Sequence, residues 1–310
     1  MVTKRFETGY PAGAMEPLDV GGNAIRRRPA SWGVALLLLA PIASAGCAAA
    51  VLSTGRPAHV ADVGHFSSNV GVDLSVSLGA LDSVVAAADA ITQASNTSSL
   101  TDDQKRTVFE GGAHLGFNPP TVIPHAEVDY VPLPAWEVGV RIAGSGLRVA
   151  TRRQILKQDV SGIDLTVGLG VERSLFTPQI DSDSCTGTCV MIDSYERWNV
   201  DVSAVVGRHA SWFRWWAGPR VLYSVMSESM TLTTPAGGSN VSVTGSVDGR
   251  GFYLGACAGA AMGFRNLFVG PELTIAGLIG DADVTALGST TNATLNSVVF
   301  APAFAIMGEL

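Results

Sequence analysis

Apolar side chains recur at every second position in several separate stretches of this chain. The repeat is clear in residues 70–78, returns in 163–172 and appears again in 198–204. A period of two places successive side chains on opposite faces of an extended strand, so each stretch predicts a β-strand with one apolar and one polar face. The pattern therefore predicts an all-β protein.

The connections between the predicted strands alternate between tight and long along most of the chain. Tight connections lie at 132–134, 158–161, 208–210 and residue 265, and long ones at 80–119, 175–194, 229–246 and 281–293. Only the turn at 144–145 departs from this alternation. About ten strands are predicted, at 66–79, 120–131, 135–143, 146–157, 162–174, 195–207, 211–228, 247–263, 266–280 and 294–309.

The composition indicates where the apolar faces point. The chain is 47% hydrophobic with a mean hydropathy of +0.29, yet only 15% of its residues are charged. After residue 46, no apolar run reaches the roughly 18–20 residues of a membrane-spanning helix. High hydropathy without such a run is expected of strands that face lipid. The pattern predicts a single antiparallel up-and-down transmembrane β-barrel, and the alternative is a soluble β-sandwich with Val72, Leu74, Leu165 and Val167 buried between sheets.

The N-terminal region has the features of an export signal. Three arginines at 26–28 precede an apolar run at 32–45, which ends in small residues before Cys47. This order matches the basic, apolar and cleavage regions of a signal peptide. We predict an N-terminal extension and signal peptide at 1–46, a lipidated linker at 47–65 and the barrel at 66–310.

Residues 44–47 resemble the lipobox of bacterial lipoproteins, although Ser44 stands where that family usually has leucine. The resemblance implies that Cys47 is lipidated, and Ala48 implies transit to the outer membrane; simple secretion is the alternative. Residues 66–310 resemble small bacterial outer-membrane β-barrels. Members of that group usually end on an aromatic residue, whereas this sequence ends on Glu309 and Leu310. The implied location is the outer membrane, with the lipid anchor on the periplasmic side. The implied partners are outer-membrane lipid and the barrel-insertion and lipoprotein-sorting machinery.

The polar strand faces carry fourteen titratable side chains that the alternation directs into the lumen. Unpaired charges away from water are costly, so a paired network that largely plugs the lumen is predicted. Ten strands also leave little space for a channel, and a narrow channel for small solutes is the alternative. The predicted network comprises Asp73, His125, Glu127, Asp129, Glu137, Arg141, Arg148, Arg152, Asp164, Glu172, Asp201, Arg214, Arg220 and Glu272.

The four cysteines suggest no catalytic or metal site. In an exported chain, the short spacing of Cys185 and Cys189 predicts a local disulfide. Metal binding there is less favoured because no histidine lies nearby, and Cys257 is expected to be a buried thiol.

In the loop 80–119, helical spacing from Leu81 to Ile91 predicts a helix that caps the barrel mouth.

Charge and motif content narrow the function further. Removal of residues 1–46 takes away five basic and three acidic side chains and leaves a net charge of −9, which argues against nucleic acid binding. No segment carries a serine, histidine and acid in a catalytic pattern, although His125 and Glu127 share a strand face. We expect a structural or surface-binding role, no enzymatic activity, no metal and no cofactor.

Overall fold

The computed structural model describes residues 50–95, 101–177, 189–236 and 239–309. These ranges contain eleven strands and three helices. The strands are β1 Phe66–Ser77, β2 Thr121–Leu133, β3 Trp136–Ala143, β4 Gly146–Leu156, β5 Asp164–Ser174, β6 Cys189–His209, β7 Phe213–Ala236, β8 Ser239–Phe264, β9 Leu267–Ala286, β10 Ser289–Thr294 and β11 Ser297–Glu309. The helices are α1 Leu78–Ser95, α2 Asp102–Phe117 and α3 Gln158–Ser161.

Ten of the strands close into a ring. Each strand from β1 to β9 pairs antiparallel with the next, and β11 pairs with both β9 and β1. The closing seam aligns Val70 with Ile306, and Ile306 in turn with Val269. The short strand β10 pairs with β9 outside the ring of ten. The predicted fold class, an antiparallel up-and-down barrel of about ten strands, is confirmed.

The alternating pattern sorts side chains between the two surfaces of the barrel. The outward side chains of Val70 and Ile142 are 57% and 56% exposed, whereas the inward Glu127 and Arg141 are each 1% exposed. This is the reverse of a soluble protein, in which apolar side chains are buried. The β-sandwich alternative is wrong, because Val72, Leu74 and Val167 lie on the outer surface and Leu165 is only half-buried.

Two connections that were predicted to be long loops are strand-paired hairpins. Strands β7 and β8 pair as far as Ala236 and Ser239, and β9 and β10 turn tightly at Leu287 and Gly288. Both turn residues have positive φ, as a two-residue type I′ turn requires. The prediction failed because serine and threonine occupy the outward face of these segments, whereas their apolar side chains, such as that of Val284, are buried inside, the reverse of the lipid-facing pattern. Threonine nevertheless favours strands, and cross-strand hydroxyl pairs such as Thr231 with Thr244 support the ladder.

The connection between β1 and β2 holds two helices where one was predicted. Helix α1 contains the predicted apolar positions, whereas α2 begins with a capping box between Thr101 and Gln104. The capping prediction concerns α1, whereas α2, which the sequence did not predict, packs into the barrel with Phe109 and Phe117 fully buried. Gly116 permits this approach, since a Cβ there would lie 2.2 Å from Oε2 of Glu228. Within the described ranges, no helix is both long and apolar enough to cross a bilayer.

The closed seam can be tested with a pair of cysteines. In the double variant Val70→Cys, Ile306→Cys, both side chains face outward on paired residues, and we expect a disulfide after mild oxidation. The matched control, Val70→Cys with Val269→Cys, separates the cysteines by two strand spacings, about 10 Å, which a disulfide cannot span. Equal cross-linking of both pairs, or none in either, would contradict the closure. Gel mobility without reductant provides the measurement, with each single variant reporting on the native thiols.

Candidate functional site in the barrel interior

The segment that precedes β1 runs through the inside of the barrel. The sequence predicts a linker at 47–65, but most of the described side chains from 50 to 60 are nearly inaccessible to solvent. The buried members are Ala50, Val51, Leu52, Ser53, Arg56, Ala58 and Val60. The interior is therefore occupied by this chain's own N-terminal segment.

Arg56 lies at the centre of the polar interior. Its Nε donates to Oε2 of Glu127 at 2.9 Å, and its Nη1 donates to Oε1 of Glu137 at 2.6 Å. Its Nη2 contacts the carboxylate of Asp129 as well. One guanidinium thus joins carboxylates of β2 and β3 to the segment. Arg56 is absent from the predicted lumen residues because it lies in a stretch without strand periodicity.

Two arginines of the barrel wall bind the backbone of the same segment. Arg141 donates to the carbonyl oxygen of Ser53 at 3.1 Å and to Oδ2 of Asp73 at 2.8 Å. Arg220 donates to the carbonyl oxygen of Leu52 at 2.6 Å. Segment carbonyls that have left water thereby receive charged donors, which buried carbonyls need.

Glu272 on β9 serves the backbone donors of the segment. It accepts hydrogen bonds from the amide nitrogens of Thr54 at 2.6 Å and Gly55 at 2.9 Å. It also accepts from the indole Nε1 of Trp216 at 2.7 Å. Wall arginines therefore donate to the carbonyl oxygens of the segment, and a wall carboxylate accepts from its amide nitrogens.

The structure brings the fourteen predicted lumen residues to the inner surface. Twelve of them are buried, and Arg148 and Arg152 are half-buried. Arg148 binds Asp201 at 2.8 Å, and Arg152 binds Glu137 at 2.8 Å. Cys47 and Cys185 lie outside the described residues, so the predicted lipidation and disulfide stay predictions. Cys257 is a buried free thiol.

The sequence predicts a polar lumen, but the interior is not polar along its whole length. Near α2 the inward positions are apolar, and Phe109 and Phe117 pack with Met226 and Met230 of β7. Arg197 is a charged group within this region, and its Nη1 donates to the carbonyl oxygen of Phe117 at 2.7 Å. Here β7 carries serine on its outward face and methionine on its inward face, the reverse of the lipid-facing pattern, so the alternation did not predict this contact.

His125 was a candidate for acid–base chemistry with Glu127, and the structure gives it other partners. Its Nδ1 lies 2.7 Å from Oδ2 of Asp73, and its Nε2 lies 3.3 Å from Oδ1 of Asn69. Glu127 instead binds Arg56. Both ring nitrogens of His125 are thus engaged in the polar network, with its side chain fully buried.

His59 lies where the segment leaves the barrel, at the end with the short turns. Its ring centroid is 4.2 Å from that of His209, at the end of β6. His209 Nδ1 lies 2.6 Å from Oδ2 of Asp164, at the start of β5. Burial, followed by the neighbouring His209, holds the pKa of His59 below its usual value.

Comparisons with known proteins give remote structural similarity only. No protein-family model and no curated protein matches the chain. Similar solved structures include Neisserial surface protein A, with 10% identity, 79% of this chain and 95% of that chain covered and a TM-score of 0.29. The attachment invasion locus protein of Yersinia pestis shares 10% identity, with 80% of this chain and 100% of that chain covered and a TM-score of 0.24. A major outer membrane protein from Thermus thermophilus shares 12% identity, with 79% and 99% covered and a TM-score of 0.31. All three TM-scores are below 0.5, so a functional assignment rests on the geometry of this chain.

The role of Arg56 can be measured through stability. Arg56→Met removes the guanidinium that three buried carboxylates share, and although Arg152 still contacts Glu137, we expect the free energy of unfolding to fall by roughly 3–5 kcal/mol. The matched control is Arg250→Met, because Arg250 is 69% exposed and lies 3.6 Å from Asp281. An exposed pair contributes about 1 kcal/mol or less. Denaturant titration of the folded protein in detergent provides the measurement, and equal losses in the two variants would contradict the network.

Proposed function

We propose that this chain is a bacterial outer-membrane β-barrel with a structural or surface-binding role and a lumen filled by its own residues. The observation that carries the proposal is the pairing of an apolar outer surface with a charged inner one. Val128 and Ile142 are each 56% exposed, which water would disfavour and lipid acyl chains would not. The short-turn end is assigned to the periplasm, since bacterial outer-membrane barrels place their short turns there.

The filled lumen favours a structural or binding role over transport. Residues 50–60 run through the interior, with Ala50 and Leu52 in the apolar part that α2 also occupies and Arg56 in the polar part. Arg56, Arg141 and Arg220 hold the segment through charged hydrogen bonds, so its exit would leave several charges without partners. A narrow channel is the second candidate, because the pocket beside His59 and Glu309 opens toward the short-turn end.

The surface-binding role is assigned to the long-loop end. There the hairpins β7–β8 and β9–β10 present hydroxyl side chains, with Thr233 bonded to Ser242 at 3.0 Å and Thr285 to Thr290 at 2.8 Å. Polar, strand-paired hairpins are rigid and remain soluble outside the bilayer, as a surface that meets the environment requires.

Lipidation of Cys47 remains a prediction, and the buried position of Ala50 limits where the lipid can lie. Ala50 is 1% exposed and packs in the cluster that includes Phe117, well inside the barrel. Three residues span about 10 Å at most. A lipid in the periplasmic leaflet therefore requires residues near 50 to leave the interior, whereas simple secretion does not.

Conductance distinguishes the filled barrel from the channel. In planar bilayers, we expect the full mature chain to show no steady ohmic conductance, because the segment and α2 occupy the lumen. A variant in which residues 50–58 and helix α2 are both replaced by glycine–serine linkers of matched length should conduct once its barrel folding has been checked. Steady channels in the unaltered protein would refute the filled lumen and favour the second candidate.

Membrane insertion can be tested on the outer surface. Val140 faces outward in the middle of β3, and Val140→Arg should reduce folding stability in vesicles by about 2–4 kcal/mol, as arginine does at the bilayer midplane. The matched control is Thr244→Arg, also outward but on the polar extension of β8, with an expected loss of about 0–1 kcal/mol. Equal costs at the two positions would mean that no bilayer surrounds β3. Denaturant titration in vesicles supplies both values.

A further inference from the structure

Three potential metal ligands converge where the N-terminal segment leaves the barrel. One ligand atom from each of His59, Asp164 and His209 lies within 4.8 Å of the others. The residues come from three elements: the segment, the first residue of β5 and the last residue of β6. Strand pairing aligns Asp164 with Gly207, which brings the ends of β5 and β6 to one place. His59 reaches them only because the segment threads the barrel.

The surroundings hold the two wall ligands in position. The Gln158 side chain donates to the carbonyl oxygen of His209 at 3.0 Å and accepts from its amide nitrogen at 2.9 Å. Oδ1 of Asp164 accepts from Gln154 at 2.7 Å and from the amide of Gln158 at 2.9 Å. Oδ2 of Asp164 remains directed at His209. Such supporting hydrogen bonds orient ligands in metal sites.

We propose that His59, Asp164 and His209 bind a divalent transition-metal ion such as Zn²⁺. Two imidazoles and one carboxylate form a donor set that zinc accepts, with water in the remaining position. Ligand atoms around a tetrahedral zinc are separated by roughly 3.3 Å, so the three side chains must rotate from their present positions within 4.8 Å of one another, and the ion must replace the 2.6 Å contact between Asp164 and His209. The His209 side chain is 31% exposed, which gives the ion access from the short-turn end.

The charge balance of the surroundings suits a cation. Asp164 is buried at 1% exposure, and the nearby Arg214 is already paired with Glu309 through two contacts. Metal ligation uses the neutral imidazole, whose unprotonated ring nitrogen provides the lone pair that binds the ion. The ion would join the segment to the barrel wall where the segment leaves the barrel, in addition to the ion pairs that Arg56 makes with the wall.

Zinc titration of the untagged, folded protein tests the proposal. We expect one Zn²⁺ per chain by calorimetry, and Co²⁺ in the same site should give a visible absorption band. His59→Gln, His209→Gln and Asp164→Asn should each weaken Zn²⁺ binding at least tenfold. The matched control is His65→Gln, an exposed histidine six positions from His59, which should bind as the unaltered chain does.

The variants also separate loss of the site from loss of the fold. His59 lies on the segment and not in a strand, so His59→Gln should retain the heat-modifiable gel mobility of a folded barrel. Zn²⁺ should raise the unfolding temperature of the unaltered protein and of His65→Gln but not of His59→Gln. The proposal is overturned if the unaltered protein binds no Zn²⁺, or if folded His59→Gln binds it equally well.

Discussion

A charged side chain inside a ring of ten strands needs other protein groups to replace the water that it loses. In this molecule that requirement is met by Arg56, whose guanidinium joins Glu127, Asp129 and Glu137. Three carboxylates on two adjacent strands would repel one another without it. The barrel wall and the segment are thus electrically complementary, and neither satisfies its charges alone.

This dependence links folding to the contents of the lumen. Arg141 and Arg220 bind segment carbonyls, and Glu272 binds segment amides, so the wall provides partners for a backbone that has no strand neighbours. Backbone groups buried without partners are costly. The segment can enter the barrel because the wall replaces the water that it loses. The lumen is thus built around an aperiodic segment of the same chain.

The alternation of the sequence predicted much of the wall. A period of two fixes which side chains face inward once one residue is placed, and Asp73, Arg141 and Glu272 lie inward as that rule requires. The rule did not identify the hairpins at the long-loop end, where the outward face is polar. Thr285 is exposed and Val284 is buried, so the period of two persists there with its apolar side inward.

The sequence by itself determined the strand faces, the antiparallel order and the charged character of the inner surface, because these follow from local periodicity and short connections. Only the tertiary structure decided that Arg56 is the partner of the wall carboxylates and that α2 enters the mouth. It also decided that His59 meets Asp164 and His209. Such contacts join residues more than seventy positions apart through a closed ring, and no local pattern in a single sequence encodes which aperiodic segment fills the space that closure creates.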